Sequence, residues 1–314
     1  MVNSARIRRT RKQPKSSPKT ETKILRAAIF NSLPWLRHGF STRLTGSSQA
    51  CGRNQLNLGF TEEDDRSRVE KNRAAFAQEI SGDAWPLITL KQIHSSSIFE
   101  ISSSAIAAAK KDSETAQCSG DGLLTQRPEI LLAIKTADCF PILLVSRKPR
   151  AVAALHAGWR GTLARIAEKG VGEMRRAFGA KPEDIFVAIG PGIHACCYAV
   201  GEEVRGQFIS QFTYAAELFG EAQEEDDAQR DSPRRKYPLM FMDQRAPGHG
   251  APAPEFHLDL VEADRRQLIA AGVPPANIEV LPYCTSCRTD LFFSHRAERG
   301  KTGRMMSAIG ISTK

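Results

Sequence analysis

Two imidazoles and one thiol form the set in this sequence best able to act together: His94, Cys139 and His156. Each ends, or closely follows, an apolar run, where a chain leaves a sheet and a side chain can enter a cleft. His94 closes Leu87–Ile93, Cys139 follows Ile134–Asp138, and His156 ends Ala151–Leu155. Two His nitrogens and one Cys thiolate make a three-ligand zinc set, and three protein ligands leave the fourth tetrahedral position open for water or substrate. Spacing alone does not establish the set, because separations of 45 and 17 residues lack the short regular intervals of a zinc finger. Taken singly, a His after a strand is more often a hydrogen-bonded structural residue, and a buried Cys is a small hydrophobe. Asp121 and Asp138 flank the ligand-bearing turns; either can orient an imidazole, accept a proton or cap a turn.

The elements that must position these residues are short buried strands and amphipathic helices. Ile130–Ile134, Ile142–Val145, Ala151–Leu155, Ile185–Ile189 and Ile278–Leu281 read as strands closed by turn residues. After Gly161, Leu163, Ile166, Val171, Met174 and Phe178 recur between charges and predict one amphipathic helix. A second helix is predicted from about Asp259 to Ala271, stopped by Gly272 and Pro274. Cys284-Thr285-Ser286-Cys287 is a CxxC pair with no second CxxC to complete a metal site, and Cys196-Cys197 reads as packing.

The chain has 314 residues, 41% hydrophobic and 25% charged, which excludes collagen-like, wholly disordered and disulfide-scaffold classes. Its net charge of +9 resembles a nucleic-acid binder until it is located. Residues 1–23 carry eight Lys or Arg against Glu21, a net +7, leaving +2 for the remainder. This Ser/Pro/Lys-rich segment is expected to be a disordered basic tail, with the folded domain spanning 24–314. A surface insertion is expected at about 221–254, where an acidic run, a basic cluster and Gly/Pro spacing follow one another. Seven cysteines, an odd number without an apolar leader, point to a reducing, cytoplasmic setting. No stretch reads as a membrane span. Small-molecule substrates are expected, with nucleic acid limited to weak contact through the tail, and a monomer or homodimer.

Several blocks occur together and in order: Lys91-Gln92-Ile93-His94, Gly120-Asp121-Gly122-Leu123-Leu124-Thr125, Thr136-Ala137-Asp138-Cys139-Phe140-Pro141, and His156-Ala157-Gly158-Trp159-Arg160-Gly161. With His38-Gly39-Phe40-Ser41-Thr42-Arg43, Ile189-Gly190-Pro191-Gly192-Ile193, Cys197-Tyr198, Phe292-Phe293-Ser294-His295-Arg296 and Thr302-Gly303-Arg304, the series resembles the laccase-domain family over about residues 35–311. That family is also described as YfiH-like polyphenol oxidase or purine nucleoside phosphorylase. The resemblance implies an α/β fold with mixed sheets in four α/β/β/α layers. It also implies that His94, Cys139 and His156 are metal ligands, with Zn2+ the expected ion. The implied reactions are phosphorolysis of adenosine, inosine and 5′-methylthioadenosine, and deamination of adenosine to inosine. Arg43, Arg160 and Arg296 lie within matched motifs and become candidates to hold phosphate, since guanidinium pairs bidentately with it. Asp121, Cys139, His156 and Arg160 are the expected catalytic set, and Arg43, Asp138 and Arg296 the expected substrate contacts. The chain departs from the family pattern at Leu44-Thr45-Gly46, where paired glycines are usual, and at His295, where Tyr is common.

Two other activities fit parts of this pattern. A copper-dependent polyphenol oxidase needs many histidines in His-x-His pairs, whereas this chain has seven and no such pair; Cu2+ at the single site remains an alternative ion. A Cys139–His156 hydrolase acting in peptidoglycan precursor editing would need no metal.

Overall fold

The structure, a computed structural model, describes residues 24–101, 118–221 and 256–313. The expected basic tail and nearly all of the expected insertion lie outside the described residues. Two large sheets organise the chain. The first has the order β1 (Ile24–Leu25), β2 (Leu36–Ser41), β14 (Met305–Ile311), β6 (Leu131–Thr136) and β3 (Leu87–Ile88). The second has the order β13 (Ile278–Val280), β9 (Ile185–Ile189), β7 (Phe140–Ser146), β8 (Ala151–Ala157), β5 (Gly122–Thr125) and β4 (Ile98–Glu100). Both are mixed: β7 runs antiparallel to β8 and β9, while β4 pairs with β5 and β13 with β9 in parallel. A small sheet of β10 (Ala199–Val200), β12 (Phe256–Leu258) and β11 (Phe219–Glu221) completes the set.

The two-residue period of a strand explains the layering. In β6, β14 and β7, alternate residues face opposite ways, and both faces are apolar. Leu132, Ile134 and Ile309 meet Leu143, Val145, Val152 and Ala154, so the two sheets pack face to face. The outer face of the first sheet, Leu131, Ala133, Met306 and Ala308, is covered by Phe76, Ala77 and Ile80 of α1 (Arg66–Ser81). The outer face of the second sheet, Ile142, Leu144, Ala153 and Leu155, packs against four helices. These are α2 (Trp159–Leu163), α3 (Ile166–Phe178), α4 (Glu202–Gln211) and α5 (Leu260–Ala270). The result is the expected four-layer α/β/β/α arrangement. Each fully buried Leu or Ile contributes roughly 1.5–3 kcal/mol, so the two sheets form a rigid base for whatever leaves their ends. Among the described residues, no helix is long and apolar enough to cross a membrane.

Local signals account for the helix ends. Asp65 caps α1 by accepting the Ser67 N–H, and Gly82 ends it at φ +73°, a left-handed conformation that glycine adopts without strain. Asp259 caps α5 through the Glu262 N–H, as the sequence placed it. The single helix expected after Gly161 is instead two, because Arg165 turns into the left-handed region at φ +62°. The turn brings its guanidinium over the Phe212 ring at 4.9 Å and beside Glu168 at 3.0 Å.

Buried His38 on β2 accepts the Ala27 N–H at 3.0 Å, a role only an unprotonated nitrogen can fill. Burial, then the charge of Arg26, hold its pKa down to about 4. The unfolded chain takes up this proton first, so the contribution is fully present above pH ~6.5 and is lost as pH falls towards 4. Urea denaturation should show roughly 2–3 kcal/mol less stability at pH 4.5 than at 7 from this group. The variant His38→Gln should lose that part of the slope; an unchanged slope would remove His38 from the account.

Candidate metal centre

His94, Cys139 and His156 reach one place by three different routes. His156 is the penultimate residue of β8 and is buried. Cys139 stands in the turn between β6 and β7, immediately before Phe140. The sequence placed His94 at the end of a long strand, but β3 stops at Ile88, and His94 occupies a bend at φ +59°. The three donor atoms lie within 4.8 Å of one another, and the two imidazole rings meet edge to face with centroids 4.9 Å apart. Gly158 closes one side of the group. A Cβ there would come within 2.9 Å of the Cys139 Sγ and 3.1 Å of the His94 Cδ2, so the backbone lies against the donors.

One fully buried carboxylate organises both histidines. Asp121, just before β5, has Oδ1 2.8 Å from Nδ1 of His156. Its two oxygens also accept the backbone N–H groups of His94 at 3.0 Å and Ser95 at 2.5 Å, and the Ser95 hydroxyl at 2.8 Å. Fixing Nδ1 on a carboxylate leaves Nε2 of His156 as the nitrogen for a metal, and it strengthens that nitrogen as a donor. Asp138 holds the Cys139 turn from the other side. Its Oδ1 accepts the Thr285 hydroxyl and its Oδ2 the Arg296 N–H, both at 2.7 Å, while its carbonyl accepts the Ile193 N–H at 2.7 Å.

The electrostatics favour a metal ligand set. Burial pushes the Cys139 thiol up, but the charge of His156 and hydrogen bonds from His156 and His94 outweigh it and bring the pKa to about 6. Burial pushes His156 down, and the Cys139 thiolate with Asp121 outweighs it, raising His156 to about 9. A sulfur that is thiolate at neutral pH suits Zn2+, a borderline-soft ion, and a bound ion would take the place of the proton that His156 carries without it. On this geometry the residues fit such an ion.

The donors open on a cavity of ≈ 520 Å³, a size suited to a small organic ligand. Phe60 and Tyr198 offer aromatic surface, while Lys91, Lys135, Arg296 and Arg304 contribute cations. Asp138 and His295 also line it. Of the arginines singled out from motifs, only Arg296 reaches the cavity, its guanidinium 5.5 Å from the Tyr198 ring centre. Arg43 does not line it. Its guanidinium is committed to the Thr289 and Cys51 carbonyls, to Gln55 and to Glu298, and stacks on Phe293. Arg160 lies over Trp159 at 4.2 Å and is likewise outside the lining. Lys91 and Arg304 were not singled out from sequence, although both sit inside the matched blocks that carry His94 and Thr302-Gly303.

Residues 37–312 match the family model described as multi-copper polyphenol oxidoreductase laccase. Purine nucleoside phosphorylase YlmD of Geobacillus stearothermophilus is 36% identical over 87% of this chain and 89% of its own length. Adenosine deaminase RL5, from an unknown prokaryotic organism, is 34% identical over 84% of this chain and 91% of its own. The crystal structure of the hypothetical protein YfiH of Bacillus licheniformis superposes with a TM-score of 0.76 at 32% identity, covering 92% of this chain and 97% of that one. A model match over nearly the whole folded part, with relatives of this identity and coverage, means that the chain belongs to the multi-copper polyphenol oxidoreductase laccase family, the YfiH-like group.

Proposed function

We propose that this protein is a zinc-dependent purine nucleoside enzyme. It splits adenosine, inosine and 5′-methylthioadenosine with phosphate and deaminates adenosine to inosine. The observation that carries this reading is the convergence of His94, Cys139 and His156 beside a cation-lined cavity. The names of relatives, purine nucleoside phosphorylase and adenosine deaminase, support it.

His94, Cys139 and His156 would hold the ion, and zinc there supplies Lewis-acid activation of water at neutral pH. Asp121 keeps the His156 imidazole aimed and holds the backbone of the His94 bend. The Tyr198 and Phe60 rings give a purine apolar surface to lie against. In phosphorolysis an oxygen of the hydrogen phosphate dianion attacks the ribose C1′, the bond from C1′ to the purine nitrogen breaks, and the base leaves with the proton that the phosphate gives up. Arg296, Arg304, Lys91 and Lys135 give that dianion a positive wall, and Arg adds a forked, bidentate contact.

Arg296→Ala tests this division of labour. Its backbone N–H remains to hold Asp138, so only the guanidinium is lost. The KM for phosphate should rise about 10- to 100-fold, the equivalent of a lost charged hydrogen bond, with a smaller effect on deamination, which uses no phosphate. Equal losses in both reactions would place Arg296 on the nucleoside instead.

The decisive experiment incubates zinc-loaded protein with each nucleoside, with and without phosphate, and separates the products. Free base and the sugar 1-phosphate (ribose 1-phosphate, or 5-methylthioribose 1-phosphate from 5′-methylthioadenosine) should appear only with phosphate, and inosine should form from adenosine without it. No product from any nucleoside, together with copper-dependent oxygen uptake on phenols, would overturn the proposal. Activity that survives chelation but not thiol alkylation would overturn it in favour of a Cys139 nucleophile.

A further inference from the structure

Six of the seven cysteines are outside the cavity lining, and the fold gathers four of them from positions some 90 residues apart. Cys196 and Cys197 occupy a turn closed by the Cys197 and Tyr198 N–H groups on the His194 carbonyl, at 2.9 and 3.0 Å. Cys284 and Cys287 occupy the turn that follows β13. A bridge between Gly192 and Cys284, with the Thr285 N–H on the Gly192 carbonyl at 3.0 Å, lays the two segments side by side. All four sulfurs then lie within 4.8 Å of one another. The Cys287 sulfur is 3.5 Å from that of Cys196 and 3.3 Å from that of Cys197. With zinc–sulfur bonds of about 2.3 Å, a tetrahedral zinc thiolate has sulfur–sulfur edges of ~3.8 Å, the scale seen here. The Cys284 sulfur also accepts the His194 N–H at 3.5 Å.

We propose that Cys196, Cys197, Cys284 and Cys287 form a structural zinc site, separate from the His94–Cys139–His156 centre. Four thiolates fill the coordination shell, so this ion has no open position and does no chemistry on substrate. Each thiol that binds gives up its proton to solvent, leaving a centre of net charge −2. Its role is mechanical. One tethered segment carries Ile193 and Tyr198 of the cavity wall, and the other carries Thr285, which holds Asp138 beside Cys139. The ion staples the two together where the chain supplies only a few backbone hydrogen bonds. Cys196 and Cys287 are exposed, which gives the ion an entry path from solvent.

The test isolates this site in the Cys139→Ala chain, purified under reducing conditions with zinc and dialysed before elemental analysis. About two zinc ions per wild-type chain, about one in Cys139→Ala and none in Cys139→Ala/Cys287→Ser are expected. Cobalt substituted into Cys139→Ala should give the strong thiolate charge-transfer absorption of a tetrathiolate, lost with Cys287→Ser. Should the double variant fail to fold, thiol protection in Cys139→Ala decides: Cys196, Cys197, Cys284 and Cys287 should resist alkylation with zinc and react once it is chelated. A folded Cys139→Ala chain without zinc overturns the proposal. So does equal alkylation with and without zinc, or an intact mass showing disulfides among these four. None of these readouts involves nucleoside turnover, so a failed nucleoside assay leaves this result standing, and the reverse.

Discussion

Cys139→Ala is expected to fold, to lose zinc from the His94 centre and to lose nucleoside turnover on the order of 10³-fold or more, since the ion's charge stabilisation is worth several kcal/mol. The substitution removes one sulfur from a half-buried turn whose geometry is held by Asp138 and not by Cys139 itself. Stability should therefore change by no more than about 1 kcal/mol. His156→Ala should lose metal and turnover to the same degree but with a larger fall in stability. From sequence both residues look dispensable to packing; the structure corrects this for His156, which is buried in β8 and hydrogen-bonded to Asp121. Its removal leaves a fully buried carboxylate short of a partner, at about 1–3 kcal/mol. Thermal melts with elemental analysis separate the two effects. Wild-type turnover in folded, metal-poor Cys139→Ala would end the proposed role of this centre.

Asp121→Ala is expected to be the most damaging change outside the donor atoms. Asp121 accepts from His156, from the His94 and Ser95 backbones and from the Ser95 hydroxyl, so alanine strands several donors at once. Each buried orphan costs about 1–3 kcal/mol, and the sum threatens folding. Asp121→Asn is the sharper probe. It keeps the shape but removes the charge that holds the His156 Nδ1 proton, and zinc affinity and turnover should drop together about 10- to 100-fold. Competition with a chelator of known affinity measures the first, and initial rates the second. A drop in stability with zinc affinity unchanged would make Asp121 a scaffold for the His94 bend only.

The signals legible in the chain before folding are local and periodic. Continuous apolar runs announced β6, β7, β8 and β9, because a strand with both faces buried must be apolar on both. Gly272 and Pro274 marked the end of α5, because a glycine and a proline just past a helix stop it within one turn. The ordered motifs identified His94, Cys139 and His156, though spacing alone left each of them indistinguishable from a structural residue. Whatever depends on meeting across the chain came from the packing of the sheets. It left Arg43 and Arg160 out of the cavity lining and put Lys91, Lys135 and Arg304 in it. It gave Asp121 charge of both histidines and brought Cys196 and Cys197 to Cys284 and Cys287. A sequence records which donors exist; a carboxylate or a thiol gains its partner only when sheet order brings distant turns to the same end of the fold.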